Sequence, residues 1–579
     1  MVIRIAACLL AFSLPASAAV TFDAVAAGDM SGTDTILWTR ATDAGAAAAV
    51  TAQVATDAAF RAIVWSGAGT TAAENDFTLK LNPTGLLPGT RYYYRFAADT
   101  VSETGRFRTA PAPDRTDPVT FGFSGDADGR FRPYPSVAAL PSHDLDFFIF
   151  LGDTIYETAS GLEPTVSPAV PILAPTSTPE ECRAALAVYY RKYLENVSGV
   201  SATGAIDASG PRGLASMFAA TGMYSLLDNH ELGNASLQSG GAPLALLTGR
   251  NPATTPAFDA NMTGTFHNQT TAFMTMEKAF FDYHPTRAGM AGQLIDAPAD
   301  PRTNQTPRQF FARQWGSHAL YIQVDDRSYR DARLGTATGS ELPAADRRGD
   351  NPHRTMLGAT QLDWLKQTLR AATTTWKFVV ISTPIDMTGN AERGQKQDQK
   401  SWHGGYRAER NALLRFIAEQ GIDHVVFLTT DDHMTRVTRL QYDSGGGKLE
   451  LVPGAFQIVA GPIGAAGPDR FTRHDLKTIR DAVTLRTESQ AELGQPMDGI
   501  AGLPGLLDVR REFDPDADTK RDPVDFLSPD TFGYAVLSID TAGTLSVSVF
   551  GIPSYAANRN FIRSPEPEHL ILSFRVRGN

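Results

Sequence analysis

Four apolar runs in this chain end in the same way, and that repetition constrains the fold more than any other feature. DFFIFL at 146–151 is followed by Gly152 and then by Asp153-Thr154-Ile155-Tyr156-Glu157. VTFGFSG runs into Asp126 and Asp128, MYSLL into Asp228-Asn229-His230-Glu231, and HVVFLTT into Asp431-Asp432-His433. Short apolar runs bounded by Gly or polar residues read as buried strands. Open α/β sheets carry their chemistry just past the carboxyl ends of such strands. Four strands delivering Asp, Asn and His from equivalent ends therefore predict one polar cluster on one rim. Side chains two apart on a strand share a face, so Asp126 is expected to act with Asp128, and Asp431 with His433. Carboxylates and imidazoles are common ligands of divalent and trivalent ions, and one carboxylate can bridge two ions.

The rest of the chain divides around that rim. Residues 1–18 have the pattern of a cleaved secretory signal peptide: Arg4, an apolar stretch from Ile5 to Leu14, then Ala16-Ser17-Ala18. No later stretch reaches the roughly 20 apolar residues that span a bilayer, so we expect a secreted or periplasmic protein without a transmembrane segment. Residues 19–110 predict a small all-β sandwich of the fibronectin type III or immunoglobulin kind. TILWTRA, AAVTAQVA, DFTLKLN and YYYRFAA are strand-like, and Leu86-Leu87-Pro88-Gly89-Thr90 before Tyr92 resembles a tyrosine corner. Thr109-Ala110-Pro111-Ala112-Pro113 is a stiff linker. From 117 to 579 strands and helices mix: helices at about 179–196, in FMTMEKAFFDYH, GATQLDWLKQTLRAA and ERNALLRFIAEQ, then a closing hairpin and a last strand, HLILSFRV. The expected class is α/β (α+β), with two facing sheets flanked by helices in four layers. The Gly-, Asn- and Thr-rich stretch at about 233–270 reads as an active-site loop. A net charge of -11 argues against non-specific nucleic-acid binding. Cys182 is the one cysteine outside the leader and reads as a small buried apolar residue.

The motifs Gly152-Asp153-x-Ile155-Tyr156-Glu157, Asp228-Asn229-His230, Arg327-Ser328-Tyr329-Arg330-Asp331 and Asp431-x-His433 occur in this order. Together they resemble the calcineurin-like metallophosphoesterases and, within them, the alkaline phosphatase D (PhoD-like) family. That resemblance covers nearly the whole chain after the leader. It implies that Asp153 bridges two metals. It implies that Asp126 binds the first with His433, joined by Asp128 and the Tyr156 phenolate, and that Asn229 and Asp431 bind the second. His230 is then not a ligand; it contacts the substrate phosphoryl group, stabilising the transition state or protonating the leaving oxygen. Arg327 is implied as a contact to the substrate phosphate. The chain departs from the family where many members have a Cys iron ligand, here Asp126. The Trp-Asp-Gly-Tyr stretch reads Trp402-His403-Gly404-Gly405-Tyr406, and the family's Asn-Asn-Trp is reduced to Asn234.

The expected activity is hydrolysis of phosphate esters by a metal-bound hydroxide, without a covalent phosphoenzyme. The expected cofactors are two or more metal ions, with Fe3+, Ca2+, Mn2+ and Zn2+ as candidates. Monoesters, diesters and phospholipids all stay open as substrates, as does a phospholipase D-like phosphodiesterase on the same scaffold. A catalytically inactive surface-binding protein is the rival from another class, and the complete set of Asp153, Asn229, His230 and His433 argues against it.

Overall fold

The computed structural model describes residues 19–158, 168–199, 213–233, 266–331, 341–343, 347–386, 396–398, 401–446, 448–465, 500, 502–511, 527–528, 531–553 and 567–578. The leader at 1–18, Asn234, nearly all of the loop expected at 233–270 and most of 466–530 lie outside the described residues.

The apolar runs form the parallel centres of two large sheets. In a ten-stranded sheet, Val119–Ser124, Phe147–Phe150 and Gly222–Ser225 lie side by side and parallel. In a seven-stranded sheet, Ala319–Gln323, Trp376–Val380, Val425–Thr429 and Leu449–Val459 do the same. Strands buried on both faces lose the apolar/polar alternation and become continuous hydrophobic runs, which is why FFIF and VVFLT are buried throughout. The sheets face each other through one apolar core. Phe121 stacks on Phe147 at 4.8 Å within the first sheet and meets Phe378 of the second edge-on at 5.0 Å.

Helices cover the outer faces. Pro179–Ser198 packs with Thr271–Tyr283 against Phe148, Phe150 and Met223. The first of these helices opens on a reciprocal capping box between Thr178 and Glu181 with Pro179 at its first position, and it ends at Gly199 in the left-handed region. Ala359–Ala371 and Arg407–Glu419 cover the second sheet through Leu365, Leu369, Leu413 and Ile417. The closing hairpin Thr531–Ile539 and Leu545–Pro553, followed by His569–Val576, extends the first sheet beside Val119–Ser124.

The N-terminal strands belong partly to this large sheet. Ile63–Thr70, Ala49–Ala55, Arg91–Ala97 and Gly105–Arg108 form a separate four-stranded sheet. Thr21–Gly28, Ile36–Thr42 and Thr78–Leu81 instead continue the ten-stranded sheet, through the parallel pair Gly28 and Met223. The strands differ from the sequence pattern in two places. MYSLLD is a strand only to Ser225, because the chain then turns to present Asp228 to His230 at the rim. Ile63–Thr70, which the apolar pattern did not mark, is the edge strand of the four-stranded sheet, and none of its residues is fully buried.

Candidate active site

The parallel strands of both sheets end at a common rim, and the loops after them are stitched to one another through the backbone. The Asp126 N–H donates to Gly152 O at 3.1 Å, Ala127 N–H to Asp153 O at 2.8 Å, Asp128 N–H to Gly464 O at 2.7 Å and Thr430 N–H to Ser382 O at 3.1 Å. Asp126, Asp153, Asp431 and His433 all have positive φ, between 51° and 63°. Each such residue costs on the order of 1–3 kcal/mol and persists only where its surroundings hold it. Gly152, at φ 91°, has no room for a side chain: a Cβ there lies 2.6 Å from Asp228 N.

Asp126, Asp153 and His433 meet at this rim, with one ligand atom from each within 4.8 Å of the others. His433 Nε2 is 3.3 Å from Asp126 Oδ1 and 2.8 Å from Tyr156 Oη. Asp126 Oδ1 and Asp153 Oδ2 are buried and accept no hydrogen bond among the described residues. Burial, then the neighbouring Asp228, Glu231, Asp126 and Asp431, pushes the Asp153 carboxyl well above its ordinary range. Burial, then the neighbouring Asp153, Asp126, Asp128 and Asp431, pushes the Tyr156 phenol up. Buried oxygens without donors, crowded by like charge, are costly on their own and favourable around a cation. The donor set of carboxylate, imidazole and phenol fits a hard or borderline metal ion.

The other half of the rim is neutralised from within. Arg327 is fully buried, its Nε bonded to Asp228 Oδ1. Its Nη2 lies 3.4 Å from Asn229 Oδ1 and 3.5 Å from Asp431 Oδ1. Ser382 Oγ lies 2.8 Å from both Asp228 Oδ1 and Asp326 Oδ1, so its single proton serves one of the two carboxylates at a time. Asn229 and Asp431 are thus brought together, with Arg327 between them.

Asp128 is not grouped with Asp126. Strand alternation stops where Asp126 takes a positive φ, and the buried Asp128 carboxylate turns to Arg130. It accepts from the Arg130 N–H at 3.0 Å and from Nε at 2.6 Å, capping the turn Gly129–Phe131. Asp432 pairs with Arg436 at 2.6 Å, away from His433.

Three carboxylate or hydroxyl contacts were not foreseen from the motifs. Glu231 accepts the N–H groups of Asp153 at 2.8 Å, Thr154 at 2.6 Å and Asp228 at 2.7 Å, tying two ligand loops to one side chain. Glu157 bonds His230 Nδ1. His284 donates from Nδ1 to Phe280 O at 2.9 Å, so its Nε2 accepts the Thr154 hydroxyl at 2.9 Å; burial pushes this imidazole down to about 3. Glu157 and Glu231 each close a motif already singled out, and that position is the signal that could have found them. His230 is held from three sides: its N–H donates to Asp153 Oδ1 at 2.9 Å, its ring stacks on Tyr156 at 3.9 Å, and Nδ1 is on Glu157. Its Nε2 lies 3.9 Å from Asp153 Oδ2.

Comparison with known proteins follows the same lines. Residues 121–495, more than half of the chain, match the profile of the PhoD-like phosphatase, and residues 9–111 that of the PhoD-like phosphatase N-terminal domain. Alkaline phosphatase D of Bacillus subtilis is 26% identical over 432 residues, which are 72% of this chain and 65% of that protein, so the match spans less than two thirds of the relative's length. A solved structure of PhoD superposes with a TM-score of 0.67 at 20% identity, covering 96% of this chain and 90% of that one. A purple acid phosphatase from yellow lupin seeds matches with a TM-score of 0.45 at 11% identity, over 97% of this chain and 74% of the other.

Proposed function

Because this chain belongs to the PhoD-like phosphatase family, we propose that it is a metal-dependent hydrolase of phosphate esters working at the rim described above. One observation carries this reading: Asp126, Asp153 and His433 converge within 4.8 Å while buried Asp126 Oδ1 and Asp153 Oδ2 have no donor among the described residues. Asp126, Asp153, His433 and Tyr156 would hold one ion, and Asp153, Asn229 and Asp431 a second. Bound ions supply a hydroxide near neutral pH and charge stabilisation for the phosphoryl oxygens. Fe3+, Ca2+, Mn2+ and Zn2+ all accept these oxygen and nitrogen donors.

The chain's own groups do the rest. His230, fixed by Asp153, Tyr156 and Glu157, turns Nε2 toward the ligand group, where it can meet a phosphoryl or leaving oxygen. Arg327 is a strut for Asn229 and Asp431 in this reading, because its guanidinium is fully buried among carboxylates. The Asp128 carboxylate serves Arg130.

The leader pattern at 1–18 supports export, and no helix among the described residues is long and apolar enough to cross a membrane. A fibronectin-like reading of 19–110 is supported by the Tyr92 hydroxyl, which accepts the Leu87 N–H at 2.8 Å, and by the core that Val25 and Leu37 share with Val50 and Tyr94.

The test is metal analysis of the purified protein with hydrolysis of nitrophenyl phosphate and of its bis-ester, and His230→Ala as control. About two bound ions, with turnover lost in the variant, support the reading, and the preferred ester selects phosphatase or phosphodiesterase. Protein that binds no metal and stays inactive after reconstitution with iron, calcium, manganese or zinc overturns it.

A further inference from the structure

We propose that Arg130, aimed by the buried Asp128, holds a second phosphate of the substrate beside the metal rim, so that the site prefers phosphate esters carrying two phosphate groups; this rests on the phosphoesterase reading. Asp128 is fully buried, yet every bond its carboxylate makes among the described residues goes to Arg130: to the N–H at 3.0 Å, to Nε at 2.6 Å and to Nη2 at 2.5 Å. The guanidinium held in this way is 34% exposed, and its Nη1 has no bond among the described residues. A buried carboxylate needs a paired cation; this one takes two nitrogens of the fork and leaves the third to solvent. The turn that carries Arg130 is fixed from behind. Arg132 is buried 3.4 Å from Glu195 and donates from Nε to Gly129 O at 3.1 Å.

The Arg130 guanidinium belongs to the edge of the rim. Asp126 and Asp128 share one loop, the Asp128 N–H donates to Gly464 O at 2.7 Å, and Tyr156 packs on the adjoining Ala465. Burial works against the charge on Arg130, but the Asp128 carboxylate, and then the Tyr156 phenol, raise its pKa. The scissile phosphoryl group falls to Asp126, Asp153, His433 and His230. Arg130 bonds to none of these and reaches solvent next to them, so it meets a group that the ester carries elsewhere. Lys192 and Arg132, which lie nearby, are buried, and of the three cations Arg130 is the one that solvent reaches. A guanidinium with one open edge and a permanent charge suits phosphate. Asp128 never touches the substrate; it is a positioning residue.

The experiment uses metal-loaded protein and probes that are not hydrolysed. Alkane diphosphonates of increasing chain length, with a phosphonate at each end, are each compared with the alkylphosphonate of the same length. Both are measured as competitive inhibitors of whichever nitrophenyl ester the protein cleaves. At the best length the diphosphonate should bind about tenfold to hundredfold more tightly, as one hydrogen-bonded contact to a charged group does, and salt should shrink that preference. Asp128→Asn combined with Arg130→Met removes both partners and leaves no unpaired buried charge. In this double variant the preference should vanish while metal content is kept. Asp128→Asn alone should lower the preference severalfold, again with metal kept. Arg130→Gln, whose amide can still donate to Asp128, replaces the double variant if that does not fold, with the same criteria. A preference absent from the unaltered protein, one that survives loss of the guanidinium, or one indifferent to Asp128→Asn overturns the inference while leaving the phosphoesterase reading intact. Loss of metal with Asp128→Asn makes Asp128 a metal ligand and overturns it too. An unaltered protein that cleaves neither nitrophenyl ester overturns that reading and this inference with it.

Discussion

The two halves of the rim solve one problem in opposite ways. On one side Asp126 and Asp153 keep buried oxygens without donors, and no lysine or arginine pairs with either among the described residues. On the other side Arg327 lies among Asp228, Asn229 and Asp431, and the Ser382 hydroxyl sits between Asp228 and Asp326. Burying carboxylates costs several kcal/mol per ion unless a cation compensates. Arg327 supplies that cation covalently, as part of the fold. The Asp126 and Asp153 side leaves it to be bound. The half with an internal guanidinium is therefore held partly by the fold itself, and the half without one depends most on a bound cation.

The contrast is broken most severely by Asp153→Asn. Losing the central carboxylate should remove several kcal/mol of transition-state stabilisation, a fall in turnover on the order of 10⁴-fold, with metal content falling in parallel by elemental analysis. The metal-free variant should nevertheless unfold at a higher urea concentration than metal-free unaltered protein. Burial and four neighbouring carboxylates disfavour the Asp153 charge, and an amide has none. A metal-free variant less stable than the unaltered protein would contradict the idea of a site strained for function.

Arg327→Met tests the other half. It leaves Asp228, Asn229 and Asp431 without their guanidinium, and breaking a buried pair by removing one partner costs about 3–5 kcal/mol. The loss should show in urea unfolding of metal-free protein as well as loaded protein, whereas the effect of Asp153→Asn changes sign with metal. A loss seen only with metal bound would make Arg327 part of the metal site and erase the distinction.

This asymmetry was only half visible in the amino-acid sequence. Strand ends were legible because FFIF, VTFGFS and VVFLT are largely apolar, and Asp126, Asp153 and His433 follow them within four residues. Which carboxylates would be neutralised from within was not legible. That depends on Arg327 reaching Asp228, 99 positions away, and nothing local marks it as buried. The contact of Asp128 with Arg130 was not legible, because period-two alternation does not continue past the end of the strand, where Asp126 takes a positive φ. Glu157 and Glu231 act between loops, so pattern could mark them but could not show what they hold.

Glu409 sharpens the comparison with a third way of burying a carboxylate, by keeping the proton. It lies in the helix Arg407–Glu419 and accepts the N–H groups of Met356 at 3.0 Å and Leu357 at 3.1 Å, with neither metal ligand nor guanidinium bonded to it among the described residues. Burial pushes its carboxyl up to about 7, against the hydrogen bonds that favour the charge. The folded value is therefore above the unfolded one near 4.5. Its contribution to stability is complete below that unfolded value and is lost as pH rises through about 7. Unfolding by urea should show a loss of roughly 2 kcal/mol between about pH 5 and 8, and Glu409→Gln should remove that part of the pH dependence. The dependence should be the same with and without metal, since Glu409 is remote in sequence and in bonding from Asp126, Asp153 and His433. If adding metal abolishes it, the titrating group belongs to the rim, and the proton is not a separate solution from the cation.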